Sequence, residues 1–133
     1  MPTEILYLLS AVGLYGVMIL MQAVAANMSK KVNLKELAGP RDDLTTTGLS
    51  AFHGRTIRAQ ANMNEGMILF TPLVLIAVQM DALTSTTALG AAIFFYGRLV
   101  YAPLYYFGVP WLRTLAWTVS TIGTLMIFVE LVT

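Results

Sequence analysis

The chain has 133 residues, of which 57% are hydrophobic and 11% charged, and its mean hydropathy is +0.72. Soluble domains carry about 25% charged residues, so this composition belongs in a membrane. A net charge of +1 argues against a nucleic-acid-binding surface. The absence of cysteine excludes disulfides, thiolate metal sites and a cysteine nucleophile.

The length suits a single domain over 1–133. A spanning helix needs about 20 mostly apolar residues, and four segments meet that requirement. The first is 5–28. Ala23-Val24-Ala25 resembles a signal-peptide cleavage site, but Glu4 is the only charge before the apolar run and the run is too long for a signal sequence. A polar connection follows over 29–49, with a turn at Gly39-Pro40. The second helix is expected over 50–80; it begins amphipathically and becomes apolar from Met67. The third is expected over 84–107 and the fourth over 110–132. The links after the second and third helices are short, which forces antiparallel neighbours. The expected fold is an all-α integral membrane bundle, four transmembrane helices running up and down.

Charge sets the expected orientation. With the 29–49 loop in the cytoplasm, Lys30, Lys31, Lys35 and Arg41 lie inside. Arg55, Arg58, Arg98 and Arg113 then fall in the cytoplasmic halves of their helices, as the positive-inside rule prefers. Both termini are extracytoplasmic in this arrangement, and the compact loops point to a bacterial inner membrane.

The stretch 55-RTIRAQANMNEGMILF-70 carries charge into a membrane helix. At 100° per residue, Arg55, Arg58, Asn62 and Glu65 share an arc of about 80°, and Arg98, Tyr101 and Tyr105 share about 60° of the third helix. Gln60 and Asn64 fall on roughly the opposite face of helix two. A charge at the centre of a membrane helix costs about 2.5–3.5 kcal/mol, so neither polar face of helix two can look at lipid. Two polar faces on one helix suggest an oligomer, with this helix near the axis and a site shared between subunits. Several donors and one acid suit a zwitterionic ligand. Arginine forks a carboxylate and glutamate accepts from an ammonium group. Equally, Arg58 and Glu65 could pair with charges on neighbouring helices and simply hold the bundle. His53, the sole histidine, reads as a solvated or capping residue, and no metal site is expected. The methionines read as packing. Pro103 is expected to bend or open the third helix near the tyrosines.

The run Arg58-Ala59-Gln60-Ala61-Asn62-Met63-Asn64-Glu65 closely resembles the helix-two signature, arginine-alanine-x-x-asparagine-x-x-glutamate, of the MAPEG family, the membrane-associated proteins of eicosanoid and glutathione metabolism. Arg98-Leu99-Val100-Tyr101, Tyr105 and Arg113 are similar to that family's helix-three and helix-four pattern. The resemblance implies a homotrimer with glutathione, as co-substrate, bound between subunits near the cytoplasmic side. It implies that Arg58, Asn62 and Glu65 grip the peptide, with Glu65 on its amino group. It also implies that Tyr101 and Tyr105 contact the same ligand, with Arg98 beside them. The resemblance further implies that Gln60, with Lys30 or Lys31, holds the glycine carboxylate and that Arg113 faces the sulfur. The implied activity is glutathione transfer to hydrophobic electrophiles, or reduction of lipid hydroperoxides. The chain departs from the pattern at Gly66, where some relatives carry tyrosine, and in having lysines at the end of helix one, which lack arginine's bidentate fork. Two other readings stand beside this one. A non-catalytic glutathione- or lipid-binding protein would keep the fold without the chemistry. A proton-coupled drug exporter would need a carboxylate deep in the first helix, and none lies between Glu4 and Glu36.

Overall fold

A computed structural model describes residues 1–28 and 51–133 and places them in four helices. These are α1 (Thr3–Met28), α2 (Ala51–Gln79), α3 (Ser85–Tyr106) and α4 (Pro110–Val132). The shortest has 22 residues. At 1.5 Å per residue that is about 33 Å, enough for a hydrocarbon core of about 30 Å. All four helices are long and apolar enough to cross a bilayer. Large apolar side chains such as Leu20, Ile68, Leu69 and Leu115 point outward from them. In water such a surface would be an aggregation hazard; in lipid it is the expected exterior.

Helices α2 and α3 form the middle of the bundle. Helix α1 packs on both of them, α4 packs on both from elsewhere, and the backbones of α1 and α4 do not come close. The core holds Phe70 of α2 stacked on Phe94 of α3, with ring centroids 3.9 Å apart. Met18, Met63, Val74 and Ile127 fill the space around them, so two of the methionines are indeed packing residues.

The most intimate pairing is α3 with α4. A Cβ on Gly123 would stand 2.5 Å from the Gly90 carbonyl oxygen, and one on Gly97 would stand 2.9 Å from the Ser120 backbone nitrogen. Lipid gives helices no hydrophobic reason to associate, so small residues that allow backbone approach take over that role.

Helix ends are closed by backbone hydrogen bonds. After α3, Gly108 sits at φ 72°, its N–H donates to the Tyr105 carbonyl, and the Val109 N–H donates to that of Leu104. Pro110 then starts α4, where a missing N–H costs nothing. After α2 the same double bond pattern recurs, with Asp81 in the left-handed position at φ 53°. Helix α3 continues through Pro103 as far as Tyr106, and the Phe107 N–H bonds to the Pro103 carbonyl.

Glu4 behaves unlike a surface charge. It is only 3% exposed, and its carboxylate accepts from Thr87 Oγ1 at 2.5 Å. Thr87 and the N-cap Thr84 form a reciprocal capping box at the start of α3. The first turn of α1 is therefore tied to the N-terminus of α3, where the helix dipole favours an anion.

Candidate intramembrane polar site

The site is organised around Arg98. Its helix, α3, lies between α2 and α4, and its guanidinium donates to an acceptor on each. Arg98 Nη1 donates to Asn62 Oδ1 of α2 at 2.7 Å, and Nε donates to Ser120 Oγ of α4 at 3.1 Å. Ser120 Oγ in turn donates to the Phe94 carbonyl at 3.2 Å. The arginine is 3% exposed, and its Cζ lies 5.6 Å from the Phe94 ring centroid and 5.3 Å from that of Tyr101. A buried cation is thus held by charge-assisted hydrogen bonds and two aromatic rings, the arrangement that makes its burial tolerable.

A chain of contacts leads from Arg98 toward the end of the bundle that holds the first turns of α2 and α4. The Tyr101 and Tyr105 rings meet edge to face at 5.5 Å, and Arg113 of α4 lies over the Tyr105 ring at 4.5 Å. Their helical spacing explains the order: 98, 101 and 105 fall on one stripe of α3, and the tight turn at Gly108 brings the first turn of α4 alongside. That turn is covered by Arg55, whose guanidinium packs on Gly108 and reaches the Tyr106 carbonyl at 3.5 Å.

On the other side of Arg98 a cleft of about 180 Å³ opens between α2 and α4. Asn62, Glu65 and Gly66 form its polar wall with Arg98; Leu69, Trp117 and Leu125 make the rest mostly apolar, with Thr121 and Thr124 between them. Glu65 is exposed at this cleft. Among the described residues it has no ion-pair partner, although it lies within the electrostatic reach of Arg98 and Tyr101.

The structure therefore brings Asn62, Glu65, Arg98, Tyr101, Tyr105 and Arg113 into one continuous strip. It does not bring Arg58 or Gln60 into that strip within the protomer. The Arg58 guanidinium folds back toward Gly54, and Arg58 also lacks an ion-pair partner among the described residues. Gln60 lies round the helix, with a buried Oε1 that has no hydrogen-bond partner among the described residues. Asn64, on that opposite side, accepts from Tyr15 of α1 at 3.3 Å. Lys30 and Lys31 lie outside the described residues. Sequence reasoning missed Ser120, Thr121 and Thr124. A hydroxyl on a membrane helix gives little signal by itself, because it can bond its own preceding turn, as Thr121 does to the Trp117 carbonyl. Trp117 also stands on the cleft.

An all-α, multi-pass membrane protein with an arginine-centred polar site below the lipid surface is the class these features define. The chain matches the MAPEG family over residues 6–133, essentially its whole length, and it belongs to that family. Membership supports a function in membrane glutathione or eicosanoid metabolism. Comparisons with curated proteins and with solved structures returned no match.

Proposed function

We propose that the protein is a membrane-bound glutathione transferase, with peroxidase activity toward lipid hydroperoxides, that works as a homotrimer. The observation that carries this reading is that one intramembrane cleft holds a Glu65 with no ion-pair partner among the described residues and an Arg98 whose Nη2 has no hydrogen-bond partner among them. If these charges served only to hold the bundle together, they would neutralise each other or a neighbour. Left open, they match a ligand with both an ammonium group and carboxylates, and glutathione has these.

The roles follow from position. Glu65 accepts from the ligand ammonium, while Asn62, Arg98 and Arg58 supply donors to its peptide and carboxylate oxygens. Tyr101 and Tyr105 line the path to Arg113. Gln60 and a lysine at the end of α1, Lys30 or Lys31, hold the far carboxylate. Arg113 sits at the opposite end of the strip from Glu65. A cation there favours the ligand's thiolate over its thiol, and each unit of thiol pKa lowering is about 1.36 kcal/mol. In transfer, sulfur bonds to the electrophilic carbon, the leaving group departs with its electron pair, and the thiol proton goes to solvent. In peroxide reduction, two thiols become a disulfide while the hydroperoxide becomes an alcohol and water.

Exposure supports the trimer. Arg58, Asn64 and Glu65 are all exposed on a membrane-spanning helix of a single protomer. Charges facing lipid cost too much to leave uncovered, and neighbouring copies of the same helix cover them. The four described arginines lie in the halves of their helices nearest 29–49, with Glu4, Asp81 and Glu130 at the far end, which supports a cytoplasmic position for that loop.

The test is glutathione titration by calorimetry in detergent, followed by conjugation to a chlorinated nitrobenzene and reduction of a lipid hydroperoxide. Binding with either reaction is expected. Absence of binding and of both reactions refutes the proposal. Binding without turnover would instead identify a non-catalytic member of the family.

A further inference from the structure

Glycine in the middle of a membrane helix needs a reason, because alanine stabilises a helix better. At Gly66 the reason is a side chain from another helix. A Cβ built there would stand 2.6 Å from Arg98 Nη2, 2.9 Å from Cζ and 3.2 Å from Nε. All three atoms belong to the guanidinium head, so the plane of that group lies against the bare backbone of α2. Its other edges are taken: Nη1 by Asn62 and Nε by Ser120. Nη2, the nitrogen nearest Gly66, has no hydrogen-bond partner among the described residues. Gly66 and Arg98 both line the cleft.

We infer that Gly66 is a positioning residue: it forms the notch in α2 that seats the Arg98 guanidinium and turns Nη2 toward a carboxylate or peptide oxygen in the cleft. This rests on the glutathione reading for the identity of that ligand, but not for the seating itself. The contrast with the other crowded glycines is informative. A methyl group on Gly97 or Gly123 would meet backbone atoms, which cannot move aside. A methyl group on Gly66 meets the end of a flexible side chain. The helix can keep its course while the arginine leaves its seat, losing Asn62 and Ser120 as it goes.

A double-mutant cycle separates this from a general packing role. Gly66→Ala alone is expected to lower Tm in detergent and to raise the glutathione KM about tenfold or more, since a hydrogen bond to a charged group is lost, with kcat within about twofold. In an Arg98→Leu background, which removes the colliding atoms, the same Gly66→Ala change is expected to raise Tm, because only the helix preference for alanine remains. If G66A alone gives no folded protein, recovery of folded protein in the G66A/R98L double variant supports the inference equally. A G66A protein whose Tm rises and whose glutathione KM is unchanged overturns it, as does an equal loss of Tm in both backgrounds. The Tm arm needs no ligand. If wild-type protein fails to bind glutathione, the functional proposal falls while the cycle still decides the seating of Arg98.

Discussion

Ser120→Ala tests the logic of the site most sharply, because it removes one oxygen and leaves every charge in place. Ser120 is fully buried; its Oγ accepts from Arg98 Nε at 3.1 Å and donates to the Phe94 carbonyl at 3.2 Å. Alanine fits the same space, so no cavity or clash confuses the result. Hydrogen bonds to charged groups are worth about 1.5–3 kcal/mol. Side-chain bonds between membrane helices average about 0.6 and reach about 1.7 kcal/mol. Arg98 is charged but keeps its 2.7 Å bond to Asn62. The expected loss therefore lies where the two ranges meet, about 1.5 kcal/mol or roughly tenfold in an equilibrium constant. Part of it appears as lower stability and part as looser ligand binding. Purified S120A should show a lower Tm in detergent and a glutathione KM several-fold higher, with kcat nearly unchanged because Arg113 is untouched. An S120A protein that matches wild type in both Tm and KM would show that the Arg98–Ser120 bond organises nothing, and the reasoning about the strip would fail with it.

Glu65→Gln keeps the shape and removes the charge. Because Glu65 is exposed and lacks an ion-pair partner among the described residues, Tm should stay level while calorimetry shows glutathione binding at least about tenfold weaker. Arg113→Ala should mainly lower turnover, whereas Arg58→Ala should mainly raise the glutathione requirement; steady-state kinetics giving the reverse pattern would reject those assignments. Gly123→Ala places a methyl group against the Gly90 carbonyl and the Phe94 nitrogen and should cost about 1–3 kcal/mol, read as loss of folded protein in detergent. Asp81→Gly relieves a left-handed backbone and should raise stability by about 1 kcal/mol, read as a higher Tm with unaltered kinetics.

Composition and apolar run length were enough to establish four membrane helices, because a bilayer admits few backbone solutions and each writes itself as a run of about 20 apolar residues. Helical periodicity also placed Asn62 with Glu65 on one face and Arg98 with Tyr101 and Tyr105 on another, since one helix's own geometry decides which of its residues share a stripe. Which stripes meet is not a local property. Only the packed bundle joined Asn62 to Arg98, gave Arg98 its second partner in Ser120, put Arg113 over Tyr105 and left Glu65 without an ion-pair partner among the described residues. It also showed Glu4 as a buried anchor for the cap of α3, though from sequence it was merely a terminal charge. The physical reason is that a hydroxyl, or a glycine such as Gly66, has no recognisable signature until a second helix arrives to use the bond or the space it offers.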